Sequence, residues 1–350
     1  MAYATINDPS AQFQTLTWTG TGNDNTAVTN TGNSNLQPDF AWVKVRNTTH
    51  DHILFNSTQG NNYNLRLPTT DPLYTNSNYL KSFDSDGLTL GTSNRVNGNG
   101  DTYVGWQWKA TAGTTVTNNA GSISSTVQAN ATAGFSIVKW TSDGNNGRTV
   151  GHGLGAKPTV IITKNSSAAG SWYTFVEAAG VDKYLRLNSA DAVTTNTDIF
   201  GGGAQATAVF TIGQSSAGYS NGNDIVAYVF APIKGYSKFG GYSGNGEANG
   251  PFVYTGFKPA FLMRKCINEG LDWVITDSTR DPVNVGDENL YANLTYVEYS
   301  GSETKYDLLS NGFKMRGNWT STNKSGNTYI YMAFAENPFV ATNGIPTTAR

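Results

Sequence analysis

The sequence predicts an all-β protein made of three tandem antiparallel β-sandwich units of jelly-roll-like character. Three observations lead there. A set of short anchor segments recurs three times, in the same order and at nearly fixed offsets. The anchors are runs of four to eight β-branched and aromatic residues, separated by Gly, Asn, Asp and Ser turns. No long stretch carries a 3.6-residue apolar period.

Each unit opens on an aromatic followed by a turn: Trp18-Thr19-Gly20, Trp140-Thr141-Ser142 and Tyr242-Ser243-Gly244. Next comes a proline before an apolar run, where its missing N–H does least harm. The runs after the prolines are Phe40-Ala41-Trp42-Val43, Val160-Ile161-Ile162-Thr163 and Phe261-Leu262-Met263-Arg264. Six residues after Pro38, Pro158 and Pro259 stand Lys44, Lys164 and Lys265. This lysine reads as a solvated strand-end charge, with a contact between units as the alternative. A second strand follows at His52-Ile53-Leu54-Phe55, Trp172-Tyr173-Thr174-Phe175 and Trp273-Val274-Ile275-Thr276. The first unit has histidine where the others have tryptophan, which argues against one shared role for that position.

The third strand reads Leu65-Arg66-Leu67, Leu185-Arg186-Leu187 and Leu290-Tyr291-Ala292. A hairpin arm comes next: Gly87-Leu88-Thr89-Leu90, Val209-Phe210-Thr211-Ile212 and Gly312-Phe313-Lys314-Met315. The closing strands are Tyr103–Trp108, Ile225–Phe230 and Tyr329–Phe334, bulky at alternate positions and aromatic at the end. Alternation implies one buried and one wet face. Repeated aromatics read first as core. The expected units are residues 1–110, 135–236 and 237–350. Residues 111–134, rich in Thr, Ala, Asn and Ser, read as a linker or arm in which Ser122–Val127 could pair as an extra strand. The second and third units join directly through Pro232–Tyr236, whereas the first unit is expected to sit further away.

Composition narrows the function classes. Charged residues are 14% of the chain, against about 25% in typical soluble domains. A surface of hydroxyls and amides suits lasting contacts with neighbours. Net charge is −2 with no basic run, so no nucleic-acid partner is expected. The single cysteine, Cys266, allows no internal disulfide. Nothing approaches the ~20 apolar residues of a membrane helix, and Met1–Gln14 lacks the pattern of a secretion signal. Sequons at Asn47, Asn56, Asn130, Asn165, Asn293 and Asn318 are what an Asn- and Thr-rich chain produces by chance.

The residues offer little chemistry. No nucleophile elbow, zinc-protease helix or phosphate loop is present. His50 and His52 could share a strand face, but a metal site wants three or four ligands and no further ones stand out. Paired carboxylates for sugar hydrolysis could be drawn from Asp84, Asp86, Asp277, Asp281 and Glu288. The first two lie in an Asp-rich turn too short for a calcium loop. No catalytic, cofactor-binding or metal-binding residue is therefore assigned, no cofactor is expected, and the protein is expected not to be an enzyme. The loop aromatics Tyr63, Tyr74, Tyr79, Tyr219 and Trp319 could stack on sugars, although protein–protein contact is the plainer use.

Several segments resemble virion structural proteins of marine phages, including those infecting cyanobacteria. They are Ala2–Gln14, Gly121–Val127, Ala133–Val138, Val150–Gly155, Asp86–Gly91 and Tyr331–Phe339. The resemblance spans nearly the whole chain. It implies a bacteriophage virion structural protein, foremost a tail-associated fibre or appendage component. A capsid decoration or head-fibre protein and a host-glycan-binding adhesin are the alternatives. It implies other virion proteins and the chain itself as partners, a trimer being one arrangement, with a host surface glycan as a further candidate. It also implies a virion location after assembly in the host cytoplasm. It carries over no catalytic residue.

Overall fold

The computed structural model describes residues 4–202, 205–213, 218–341 and 344. The first stretch forms β1 (Phe13–Thr19), β2 (Thr26–Thr29), β3 (Phe40–Val45), β4 (His52–Asn56) and β5 (Tyr63–Leu67). It continues through β6 (Tyr74–Thr75), β7 (Leu80–Asp84), β8 (Gly87–Leu90) and β9 (Thr102–Trp108). Then come β10 (Val116–Asn118), β11 (Ser125–Asn130), β12 (Phe135–Thr141), β13 (Arg148–Gly151) and β14 (Val160–Asn165). The middle closes with β15 (Tyr173–Val176), β16 (Lys183–Arg186), β17 (Thr194–Thr195), β18 (Val209–Ile212) and β19 (Asp224–Phe230). The last stretch holds β20 (Ser237–Ser243), β21 (Phe252–Tyr254), β22 (Phe257–Cys266), β23 (Val274–Asp277) and β24 (Leu290–Tyr291). It ends with β25 (Tyr306–Leu309), β26 (Gly312–Met315) and β27 (Thr328–Pro338). The protein is all-β and antiparallel, as its turn-punctuated sequence predicts.

Three large sheets run β1-β9-β3-β4-β5-β6, β10-β11-β12-β19-β14-β15-β16-β17 and β20-β27-β22-β23-β24. In each, a closing strand lies between an opening strand and the strand near a proline. Smaller sheets β2-β8-β7, β13-β18 and β21-β26-β25 accompany them.

Period-2 alternation decides what each face meets. On β3, Ala41, Val43 and Val45 join Leu16, Val28, Phe55, Leu88 and Leu90 in a core local to the first stretch. A second such core gathers Val138, Trp140, Ile161, Phe175, Phe210 and Val229. The opposite faces meet in the middle of the molecule. Phe40 stacks on Tyr228 at 4.0 Å between ring centroids, Phe13 on Phe334 at 5.4 Å, and Trp108 meets Phe261 edge-on at 5.7 Å.

This shared core corrects the expectation that the first unit sits further away from the other two. An aromatic at the end of each closing strand needs cover on a face its small sheet does not reach. The three large sheets supply that cover to one another. Both faces of β3, β14 and β22 are consequently buried, and their apolar runs are near-continuous. Residues 111–134 are not a free linker. They supply β10 and β11, and β11 pairs with β12 from Asn130↔Phe135 to Thr126↔Lys139. The Asn130 amide also donates to Gln12 Oε1 at 2.6 Å, tying this arm back to the start of the chain.

Candidate functional site

The three repeated lysines lie at the joints between the sheets, each fully or almost fully buried. Lys164 Nζ donates to the carbonyl of Thr70, at 3.0 Å, in the loop after β5. Lys265 Nζ donates to Ala190 O at 3.1 Å, in the loop after β16. Lys44 Nζ donates to Thr295 O at 3.3 Å, in the loop after β24. The middle stretch thus grips the first, the last grips the middle, and the first grips the last. Burial lowers all three ammonium groups to about 8. The reading of this lysine as a solvated charge is corrected: once neighbouring sheets close over it, backbone carbonyls replace water as its partners.

The same joints explain His52. Trp172 Nε1 donates to Arg66 O at 3.2 Å, and Trp273 Nε1 donates to Arg186 O at 2.9 Å. His52 Nε2 lies 2.8 Å from Tyr291 O, while Trp42 Nε1 donates to His52 Nδ1 at 2.9 Å. The second contact makes Nδ1 an acceptor, so the proton sits on Nε2. Histidine and tryptophan do one job here, donating a ring N–H to the neighbour's third strand. A backbone bond completes each joint: Leu73 N to Ser166 O at 2.9 Å, Val193 N to Ile267 O at 3.0 Å, and Glu298 N to Arg46 O at 2.8 Å.

The joint between first and last stretches carries an added charged cluster. Buried Arg280 pairs with Asp277 at 2.6 Å and with Glu298 at 2.5 Å. Arg46 reaches Glu298 at 2.7 Å and Glu288 at 3.2 Å, and Trp106 Nε1 donates to Asp277 at 3.0 Å. A cavity of about 290 Å³ opens beside them, lined by Arg46, Asn47, Thr102, Glu288 and Glu298 among others. Burial, then the Glu298 carboxylate, push Glu288 up to about 7. Burial raises Glu298 too, but the Arg280 and Arg46 guanidiniums outweigh it and hold that group below the ordinary range. One carboxyl holds its proton near neutrality while the other stays ionised. Glu298 is spent on two guanidiniums, so the pair works as a clasp across the joint. The sequence singled out Asp277, Asp281 and Glu288. It missed Arg46, Glu298 and Arg280, which lie 252 and 18 residues apart across the contacts that join them.

The other singled-out residues disperse. Tyr79 and Tyr219 are 5% and 2% exposed, so neither can stack on a sugar. Trp319 is half-buried against Tyr291. Tyr63 and Tyr74 are 40% and 41% exposed, and the Arg66 guanidinium lies 4.6 Å over the Tyr74 ring, paired with Asp71. Asp84 accepts from Thr89 Oγ1 at 2.7 Å and Asp86 from Leu36 N at 3.1 Å, both as turn fasteners. Cys266 is buried, with the Asn327 amide donating to its sulfur at 3.4 Å. Among the sequons, Asn56, Asn165 and Asn293 are buried.

A family model described as a domain of unknown function (DUF7483) matches residues 8–338, and the chain belongs to that family. No curated protein and no solved structure matches it.

Proposed function

We propose that this chain is a structural component of a bacteriophage virion, placed first in a tail-associated fibre or appendage. The observation that carries the reading is the closed set of three joints around one core. A body whose sheets are clamped by buried lysines and ring N–H donors resists deformation, which suits a part that bears or braces rather than one that opens on a substrate. Its sparsely charged surface and the resemblance to marine phage particle proteins point the same way. Its partners are then other particle proteins and further copies of itself. Because one chain already holds three sheets about a common core, self-association needs no threefold axis.

Immunogold labelling of intact particles tests this. Label on tail appendages is expected. Label confined to the capsid shell moves the assignment to a decoration or head-fibre protein, and a chain missing from purified particles defeats it. A glycan-binding adhesin has one specific support, the exposed Tyr63 and Tyr74 with Arg66–Asp71 beside them. Saturable binding on a glycan array that is lost in Tyr74→Ala favours that reading.

A further inference from the structure

We propose that the outer edges of β1 and β20 are acceptor sites for an added β-strand, an extended, uncharged segment of a partner protein. The inference goes beyond the particle role and stands without it, because it rests on the arrangement of the middle sheet.

The middle sheet shows such a site occupied. β12 pairs with β19 on one side and with β11 on the other, Thr126 opposite Lys139 and Gln128 opposite Ile137. Gly153 leaves room for β11, since a Cβ there would come within 2.9 Å of the Ala129 Cβ and 3.2 Å of Val127. The Gln128 amide donates to Ser57 Oγ at 2.9 Å and Thr58 Oγ1 at 2.8 Å, just past the end of β4. The occupant is thus small on one face, carries an amide on the other and bears no charge from Ser122 to Ala131.

β1 and β20 hold the place of β12 in their own sheets. Phe13 pairs with Trp108 and Ser237 with Phe334, as Phe135 pairs with Phe230. Among the described residues, each has a partner strand on one side only. Bonds just beyond the strand ends fix which groups face outward. Ala335 N donates to Tyr236 O and Gly244 N to Asn327 O, so even-numbered residues of β20 face β27. The N–H and C=O groups of Phe239 and Gly241 therefore face the open side. Lys109 N to Gln12 O and Gly20 N to Asp101 O leave Thr15 and Thr17 facing outward from β1 in the same way.

A groove lies at each edge. The one at β1 is about 240 Å³, and Ser278 and Thr279 are in its wall. They follow Asp277, opposite Phe261, as Ser57 and Thr58 follow Asn56, opposite Phe40. The hydroxyl pair that receives Gln128 in the middle sheet therefore has a counterpart here. The groove at β20 is about 420 Å³, lined in part by Tyr254, Gly256, Pro232 and Phe339. The usual guards of a free edge are weak at both. β1 has no charged residue, and the one charge on β20, Lys238, is drawn in to Tyr254 O at 2.7 Å.

Hydrogen exchange on the full chain tests the proposal, with a synthetic peptide of residues 122–131 as the probe strand. Saturable slowing by tenfold or more is expected at the amides of Thr15, Thr17, Phe239 and Gly241. Gly241→Pro removes an outward N–H at an edge where proline is tolerated. It should abolish the slowing on β20 and leave that on β1, with unchanged protection of β27 showing that the variant is folded. No slowing at peptide saturation overturns the proposal, as does slowing confined to β12, which would mean exchange with the chain's own β11. Protection of these amides without peptide also overturns it: at all concentrations the occupant is the chain itself, and with rising concentration a second copy.

Discussion

His52 shows how a single side chain is read differently before and after folding. Alone in the sequence it breaks a pattern of tryptophans. In the fold it keeps the donor and changes only the ring. Burial first, then Lys44, hold its pKa down at about 3, below the ordinary 6.5, against the two carbonyls that favour its charged form. Protons therefore favour the unfolded chain. This contribution to stability is complete above about pH 6.5 and drains away as pH falls toward 3. Urea midpoints between pH 7 and pH 4 should fall for the native chain and fall less steeply for His52→Phe. At constant pH 7, Trp172→Phe deletes one buried donor and leaves the Arg66 carbonyl only the long bond from Thr69 Oγ1 at 3.5 Å, a loss of about 1–3 kcal/mol. Urea unfolding followed by fluorescence measures it. The histidine's burial was not legible in the sequence, because its partners Tyr291 and Leu294 lie about 240 residues away.

At the scale of elements, strand positions were the legible part. Turn residues and period-2 alternation are local signals, and β3 and β14 begin after Pro38 and Pro158; β22 instead starts at Phe257 and takes in Pro259, where its register with β27 shifts. The arm was half legible: alternation in 122–127 suggested a strand, but its pairing with β12 depends on room left by Gly153, and β10 lies against Gly151. A Cβ at Gly151 would collide with the Asn118 amide. Gly151→Val should thus push β10 from its seat, at a cost of about 1–3 kcal/mol. Exchange protection of residues 116–118 should disappear while that of β19 persists. Loss of protection throughout both strands would show instead that the arm and the middle sheet fold as one unit.

For the whole molecule, a common core means common unfolding. Phe334 touches Phe13 of the first sheet, Phe230 of the middle and Phe261 of its own. Phe334→Ala should cost about 3–5 kcal/mol and lower a single calorimetric transition rather than one of three. Separate transitions would mean that the sheets are independently stable, against the packing seen here. The segments at Ala4–Thr5 and at Pro338 also meet, around Gly235. Thr5 N donates to Lys234 O, and a Cβ on Gly235 would fall 2.7 Å from Ala4 and 3.6 Å from Pro338. A circular permutant of residues 4–339, with Ala4 and Phe339 joined by a short linker and new ends at the exposed Asn119–Ala120 turn, should fold. Its circular dichroism and melting temperature should stay close to those of the native chain.

The sequence by itself determined the strands, their turns, the aromatic alternation that needs burial and the polar, sparsely charged surface. These follow from φ/ψ preference and from a two-residue period, which act within a few residues. Tertiary structure alone decided that the outward faces of three sheets would meet, that Lys44, Lys164 and Lys265 would be desolvated, and that β12 would gain a second neighbour where, among the described residues, β1 and β20 have one each. Those outcomes depend on which surfaces are close in space across separations of up to about 250 residues, and no local pattern encodes them.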